Sequence, residues 1–199
     1  MNEDHELEPR RNAPEEEPRL KPRIYVTSLS DYNAGRLHGS WIDASLDAED
    51  IQAAINRILV TSPEAHAEEW AIHDYEGFGM ARLDEYESLE TIVRLAHGIE
   101  QHGPAFAAWA STVDVHDADA LNGFEDAFLG TWDSLKDYAE ELLDDLGLNA
   151  ELEEAIPELL QGYISIDVEG FARDMELGGM ITAIENPEGS GVWIFDGTA

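Results

Sequence analysis

The chain has 199 residues, 44 Asp and Glu against 11 Lys and Arg, a formal net charge of −33 and no cysteine. Its length suits one ordinary domain or two or three small ones, and 43% apolar residues with 9% aromatics is a globular composition, not that of a disordered acidic chain. Phosphate-binding surfaces need Lys and Arg to replace released counterions, so neither nucleic acid nor an anionic membrane is an expected ligand, and the missing cysteines exclude disulfides, thiolate metal sites and Cys nucleophiles.

Residues 1–23 hold four prolines with 7 acidic and 5 basic residues, the composition of a disordered tail. The remainder, 24–199, holds 37 acidic and 6 basic residues, so −31 of the charge belongs to the folded body. IYVTSL (24–29) and SWIDASL (40–46) predict strands around a polar turn, DYNAGRLHG. Asp47 predicts a helix cap, and Ile51, Ile55, Ile58 and Leu59 give that helix one apolar face as far as Thr61, Ser62 and Pro63. EWAIHD (69–74) predicts another strand and GMARLDEY (79–86) a final short one, completing an N-terminal α+β domain over 24–87.

From Ser88, a plausible N-cap, Leu89, Ile92, Val93, Ala96 and Ile99 follow a helical period. After Gly103-Pro104 comes AFAAWASTV, apolar nearly all round, then a predicted helix in 117–129 carrying Leu121, Phe124, Phe128 and Leu129. A helical middle domain is expected over 88–125. The clearest helix is 134–147, capped by Ser134 and ended by Gly147, with Leu135, Tyr138, Ala139, Leu142, Leu143 and Leu146 on one face. A second acidic helix, AELEEAI, stops near Pro157; YISI (163–166), a helix around GFARDMEL (170–177) and a hairpin of MITAIE and VWIF complete a C-terminal α+β domain over 126–199. The fold class is therefore α+β: an N-terminal sheet plus helix, a middle helical bundle, and a C-terminal sheet with acidic helices. With no signal-peptide pattern and no membrane-spanning apolar run, the protein reads as soluble and cytoplasmic.

No catalytic constellation emerges, and the protein is read as no enzyme. The nucleophile-elbow pattern is absent; Ser40 and Ser190 lie beside glycines at the wrong spacing. His66 with Glu68 and Glu69, or His73 with Asp74, would ligate zinc only with further donors. DVHDADALNGFE (114–125) has the outer acids of a Ca²⁺ loop but lacks its central glycine, and fits helix capping better. No metal and no cofactor are expected.

The charge itself is patterned. Asp137, Glu140, Glu141, Asp144 and Asp145 are spaced i, i+3, i+4, i+7, i+8, a stripe opposite the leucines with no base inside it. At ~1.5 Å rise per residue the five charges recur about every 3 Å along the axis, close to the ~3.4 Å phosphate repeat of one B-DNA strand. Like charges at i, i+4 cost a helix a few tenths of a kcal/mol per pair. A solvated face would normally intersperse lysines, which favours a functional role over solubility alone. The stripe continues in Glu151, Glu153, Glu154 and Glu158, and further clusters occur at Glu49/Asp50, Glu68/Glu69, Asp84/Glu85/Glu87/Glu90 and Asp117/Asp119. These are the candidate partner-binding, phosphate-mimicking carboxylates. In a dimer, about 66 formal charges would match the phosphates of ~33 base pairs, of order 110 Å of duplex. Two alternatives remain open: a salt-adapted acidic enzyme or small-molecule binding protein, since Lys21 and Lys136 are the only lysines, or a protein that buffers Ca²⁺ or Mg²⁺.

IYVTSLSDYNAGRLHGSWIDA (24–44), EEWAIHDYEGFG (68–79), DSLKDYAEELLDDLGL (133–148) and YISIDVEGFARDMELGGMITAIE (163–185) resemble, in order, the ArdA-type antirestriction proteins of conjugative plasmids and transposons. The Y-N-x-G-x-L-x-G-x-W and A-I-H-D-Y-E strings are specific. The resemblance implies an elongated three-domain fold, homodimeric through its C-terminal domain, that mimics B-DNA and occupies the DNA groove of type I restriction-modification enzymes. It also implies that 138–148 is the acidic antirestriction segment. Residues 163–179 are similar to the family pattern Y-I-D-Y-E-x-x-A-R-D-x-x-L-S-G, with Val168 for Tyr, Ser165 inserted before Ile166 and Gly178 for Ser as departures. Tyr32, Trp41 and His73 lie in family-like strings and are read as maintaining the fold.

Overall fold

A computed structural model describes residues 21–187 and 189–198, and it is a mixture of helices and two small antiparallel sheets. Most of the tail reading of 1–23 lies outside the described residues; Arg23 belongs to the first strand. The first sheet has the order β2-β1-β3, from β1 (Arg23–Ser28), β2 (Gly39–Asp43) and β3 (Trp70–Glu76). Ile24 pairs with Ile42 and Val26 with Ser40, so alternate β1 side chains enter the core, and a bulge at Tyr25/Val26 shifts the register against β3. The segment expected to be only a turn contains α1 (Leu29–Asn33), because the Ser28 side chain accepts the Asp31 N–H and starts a helical turn. Tyr32 of α1 meets the His73 ring edge-on at 4.6 Å, and Trp41 packs against Tyr25 with the Arg23 guanidinium over its face.

Helix α2 (Ala48–Val60) lays Ile51, Ile55 and Ile58 on this sheet. The strand expected at 79–86 does not form. Ala81 and Leu83 are buried in alternation, which imitates a strand in the sequence, but Gly77 and Gly79 have positive φ. A single backbone bond, from Ile72 N–H to Glu85 O, then joins the segment to β3 beside the bulge.

Helix α3 (Leu89–His102) is capped by Ser88, which accepts the Thr91 N–H, and Gly103 in the left-handed region turns the chain into α4 (Pro104–Ala110). At Gly98 a β-carbon would lie 2.2 Å from the Phe106 ring, so glycine is what lets α4 approach α3. The single helix expected at 117–129 is instead α5 (Ala118–Asn122), α6 (Phe124–Ala127) and the strand β4 (Phe128–Trp132). Gly123 interrupts the helix, and a register shift at Gly130, whose φ is 121°, breaks the alternation that would have marked the strand.

The second sheet has the order β4-β6-β5, with β5 (Ile181–Glu185) and β6 (Val192–Asp196). Against it pack α7 (Leu135–Asp145) and α9 (Val168–Leu177); α8 (Leu148–Ala155) and a 3₁₀ turn (Glu158–Leu160) lie between them in sequence, and 163–166 joins no regular element. β6 serves two cores. Trp193 and Phe195 join a large cluster reaching through α4, α3 and α2 to Ile24 and Val26, while Ile194 joins a smaller one with Ala139, Ala172, Met175 and Ile181. Phe195 sits 5.5 Å from the Trp109 and Phe128 rings and 6.2 Å from Phe124.

Candidate functional site

The acidic surface is best resolved on α7. Ser134 accepts the Asp137 N–H at 3.2 Å and donates its hydroxyl to the Asp137 carboxylate at 2.6 Å, which fixes the start of the helix. Ala139 and Leu143 are buried, and Leu135, Tyr138 and Leu142 are half-buried against the smaller core. The opposite face then holds Asp137, Glu140, Glu141, Asp144 and Asp145 in solvent. Within the 138–148 segment, Tyr138 thus serves packing: its ring stands edge-on to Trp132 at 5.3 Å, and burial, then the nearby Asp196 charge, push its phenol pKa up. Asp196 is itself held low by hydrogen bonds from the Thr198 side chain and backbone.

Of the 19 candidate carboxylates, 18 are exposed. The exception is Glu87, whose residue is only 5% exposed; it sits at the foot of α3, where the Ser88 N–H reaches its carboxylate, and it presents no phosphate-like charge. Among the described residues, one Lys or Arg ion pair touches the set: Lys136 Nζ lies 3.5 Å from Glu140 and 3.8 Å from Glu169 of α9. Lys136 thus neutralises one end of a stripe that the sequence shows as free of bases.

Helix position divides the set. Glu49 and Asp50, Glu90, Asp119, Asp137 and Glu151 occupy first turns, and Asp117 is an N-cap accepting the Asp119 N–H. The helix dipole favours negative charge there by about 0.3–1 kcal/mol, so local physics alone accounts for these acids. Asp144, Asp145, Glu153 and Glu154 stand in last turns that hold no base, against the same dipole. The neutral partners there are the Asn149 amide, donating to the Asp144 carboxylate, and the Gln161 amide, donating to the Glu153 carbonyl. Glu68, Glu69, Asp84, Glu85 and Glu158 lie exposed in loops or the 3₁₀ turn. Exposed acids outside the clusters include Glu100, which stands alone in sequence, and Glu169 and Glu176, each two residues after another exposed acid, Asp167 and Asp174.

Asp31 shows the contrary treatment of a carboxylate. It is fully buried. Burial opposes its charge, but hydrogen bonds with Ser62, Ser28 and Arg36 and the nearby His38 ring outweigh this and hold the carboxyl below its ordinary value. A folded-state value below the unfolded one contributes stability that is complete above the unfolded pKa of about 3.9 and is lost as pH falls through the folded value. Asp31→Asn is therefore expected to be less stable than the parent at neutral pH, with the gap narrowing as pH drops below about 4. Urea midpoints from pH 7 to pH 2.5 measure it, and a gap independent of pH contradicts it.

His66 and His73, the histidines considered for zinc, join no group of three or more donor atoms among the described residues. In the Ca²⁺-loop-like stretch, Asp114 accepts the His116 N–H at 2.9 Å and Asp117 caps α5, both turn and cap duties. A cavity of about 590 Å³, open to solvent, is lined by Leu29, Glu68, Glu69, Trp70 and Tyr86 to Leu89.

A family model described as antirestriction protein (ArdA) matches residues 24–187, well over half of the chain. The chain belongs to the ArdA family. Membership implies an antirestriction function, an interaction with restriction enzymes, and an inhibitory rather than catalytic role. The match takes in every element described above except the first residue of β1 and the whole of β6, and it includes all 19 candidate carboxylates. No individual curated protein matches the chain. No helix among its described residues is long and apolar enough to cross a membrane.

Proposed function

We propose that the protein is a cytoplasmic, non-catalytic mimic of B-DNA that occupies the DNA-binding groove of the methyltransferase core of type I restriction-modification enzymes. The observation that carries this reading is the set of 18 exposed carboxylates with, among the described residues, a single Lys ion pair. A groove that binds duplex DNA must be basic, and a surface of fixed, uncompensated carboxylates releases its counterions as phosphates do. The acids in last helical turns support the reading most, because local stability disfavours them.

We place a second copy of the chain against the C-terminal part, over 126–199. Leu159, Tyr163 and Leu177 are 84%, 86% and 77% exposed there and offer side chains for a partner copy to cover. Two copies extend the acidic surface toward the length of a bound duplex.

Competition decides the matter. A purified type I methyltransferase core, labelled duplex and this protein at two NaCl concentrations are expected to give mutually exclusive binding that weakens as salt rises. Equal affinity for the enzyme with its DNA site already filled overturns the proposal. Unfolding at low NaCl together with no competition would favour the salt-adapted alternative.

A further inference from the structure

We infer that Asp84, Glu87 and His116 form a site for one divalent transition-metal ion of the zinc type, a property beyond antirestriction and independent of it. A turn closed by the bond from Glu87 N–H to Asp84 O brings the two acids together just before α3, and His116 reaches them from the loop before α5. One ligand atom from each lies within 4.8 Å of the others.

The Glu87 carboxylate points to a ligand. Its side chain is 3% exposed. Its one hydrogen bond is from the Ser88 N–H to Oε1 at 2.9 Å; Oε2 takes none and meets solvent at the groove. No Lys or Arg among the described residues forms an ion pair with it, and the nearest basic atom is His116 Nδ1 at 3.5 Å, beyond hydrogen-bond length. A carboxylate with so little access to water is poorly served by one neutral donor. Asp31, the other buried carboxylate, has them: two serines and an arginine. Glu87 has instead an open imidazole nitrogen and a second carboxylate.

The donor set suits zinc. One imidazole nitrogen and two carboxylate oxygens bind it at ~2.0–2.2 Å, a tetrahedron whose edges are roughly 3.3–3.6 Å, leaving a fourth position for water. Asp84 and His116 are both exposed, so their side chains are free to rotate inward by the remaining ångström. Ca²⁺ and Mg²⁺ require six or more oxygens and would gain little from the imidazole. The anionic groove lined by Glu68, Glu69 and Glu87 leads a cation to the site. Once bound, the ion ties the loop before α5 to the foot of α3.

Calorimetric titration of the metal-stripped full chain with ZnCl₂, in excess Mg²⁺ and NaCl to saturate diffuse counterion binding, tests the site. One saturable equivalent is expected, with a rise in melting temperature and, with Co²⁺, a visible tetrahedral absorption. His116→Gln changes a side chain that is 59% exposed and should fold normally; it is expected to lose the Co²⁺ band and at least tenfold in Zn²⁺ affinity. Glu87→Gln, checked for folding by urea denaturation, should do the same. Zinc binding that does not saturate, or that His116→Gln leaves unchanged, overturns the inference.

Discussion

Replacing Asp137, Glu140, Glu141, Asp144 and Asp145 together by their amides is expected to make the protein more stable and a much weaker inhibitor. The stability gain comes from five like-charge neighbours at i, i+3 or i, i+4 on α7, each worth about 0.2–0.5 kcal/mol of repulsion. Against it stand the lost Lys136–Glu140 pair and the lost charge of Asp137 at the helix N-terminus, together about 0.5–1.5 kcal/mol. Relief of the dipole opposition at Asp144 and Asp145 adds about 0.3–1 kcal/mol each, so the balance is a gain of about 2 kcal/mol. Binding moves the other way: five exposed contacts at about 0.3–1 kcal/mol each amount to roughly ten- to a few thousandfold in affinity for the methyltransferase core. Each single amide should cost only a fewfold. Urea midpoints and the competition assay read the two effects separately, and a variant that gains stability while inhibiting as before would reduce the stripe to a solvation device. Because Asp144 and Asp145 oppose the helix dipole, they should supply most of the stability gain.

Phe195→Ala is expected to produce the largest loss of stability, about 3–5 kcal/mol, by emptying an aromatic site between Trp109, Phe124 and Phe128. The loss should reach both sheets. Phe195 is fully buried in the cluster that extends to β1, and its neighbour Ile194 anchors the smaller core beneath α7 and α9. The control is Leu159→Ala: that side chain is 84% exposed, and its replacement should stay within about 0.5 kcal/mol in the monomer. Denaturant unfolding followed by tryptophan fluorescence and far-UV circular dichroism measures both. Loss of one sheet at a lower denaturant concentration than the other would show that β6 does not couple them.

Where the chain settles its conformation locally, the sequence was readable. α7 and α3 each combine an uninterrupted apolar period with a serine cap, and each begins at the residue after that serine. The hairpin of β5 and β6 and the family resemblance were legible for the same reason, in contiguous strings. Misreadings arose where one signal imitates another. Phe128 and Leu129 continue the helical spacing of Leu121 and Phe124, but pairing with β6 draws Phe128 into a strand, and a bulge hides the alternation. Ala81 and Leu83 alternate as in a strand while their backbone follows the glycines at 77 and 79 away from the ladder. At the candidate site, sequence clustering located the carboxylates but could not tell Glu87 from Glu85 two positions earlier, because burial depends on what α3 and the 111–117 loop bring over it. His116 joins Asp84 and Glu87 only through that tertiary approach, so no spacing rule would have found the trio.

The double duty of β6 also sets an order in time. A ribosome makes this strand after every other described element, yet the core that begins at Ile24 lacks Trp193 and Phe195 until then. At about 5–20 residues per second, the apolar faces of β1, α2 and α3 wait on the order of ten seconds or more without their last aromatic neighbours. Through that interval the nascent chain depends for solubility on the negative charges it has already acquired.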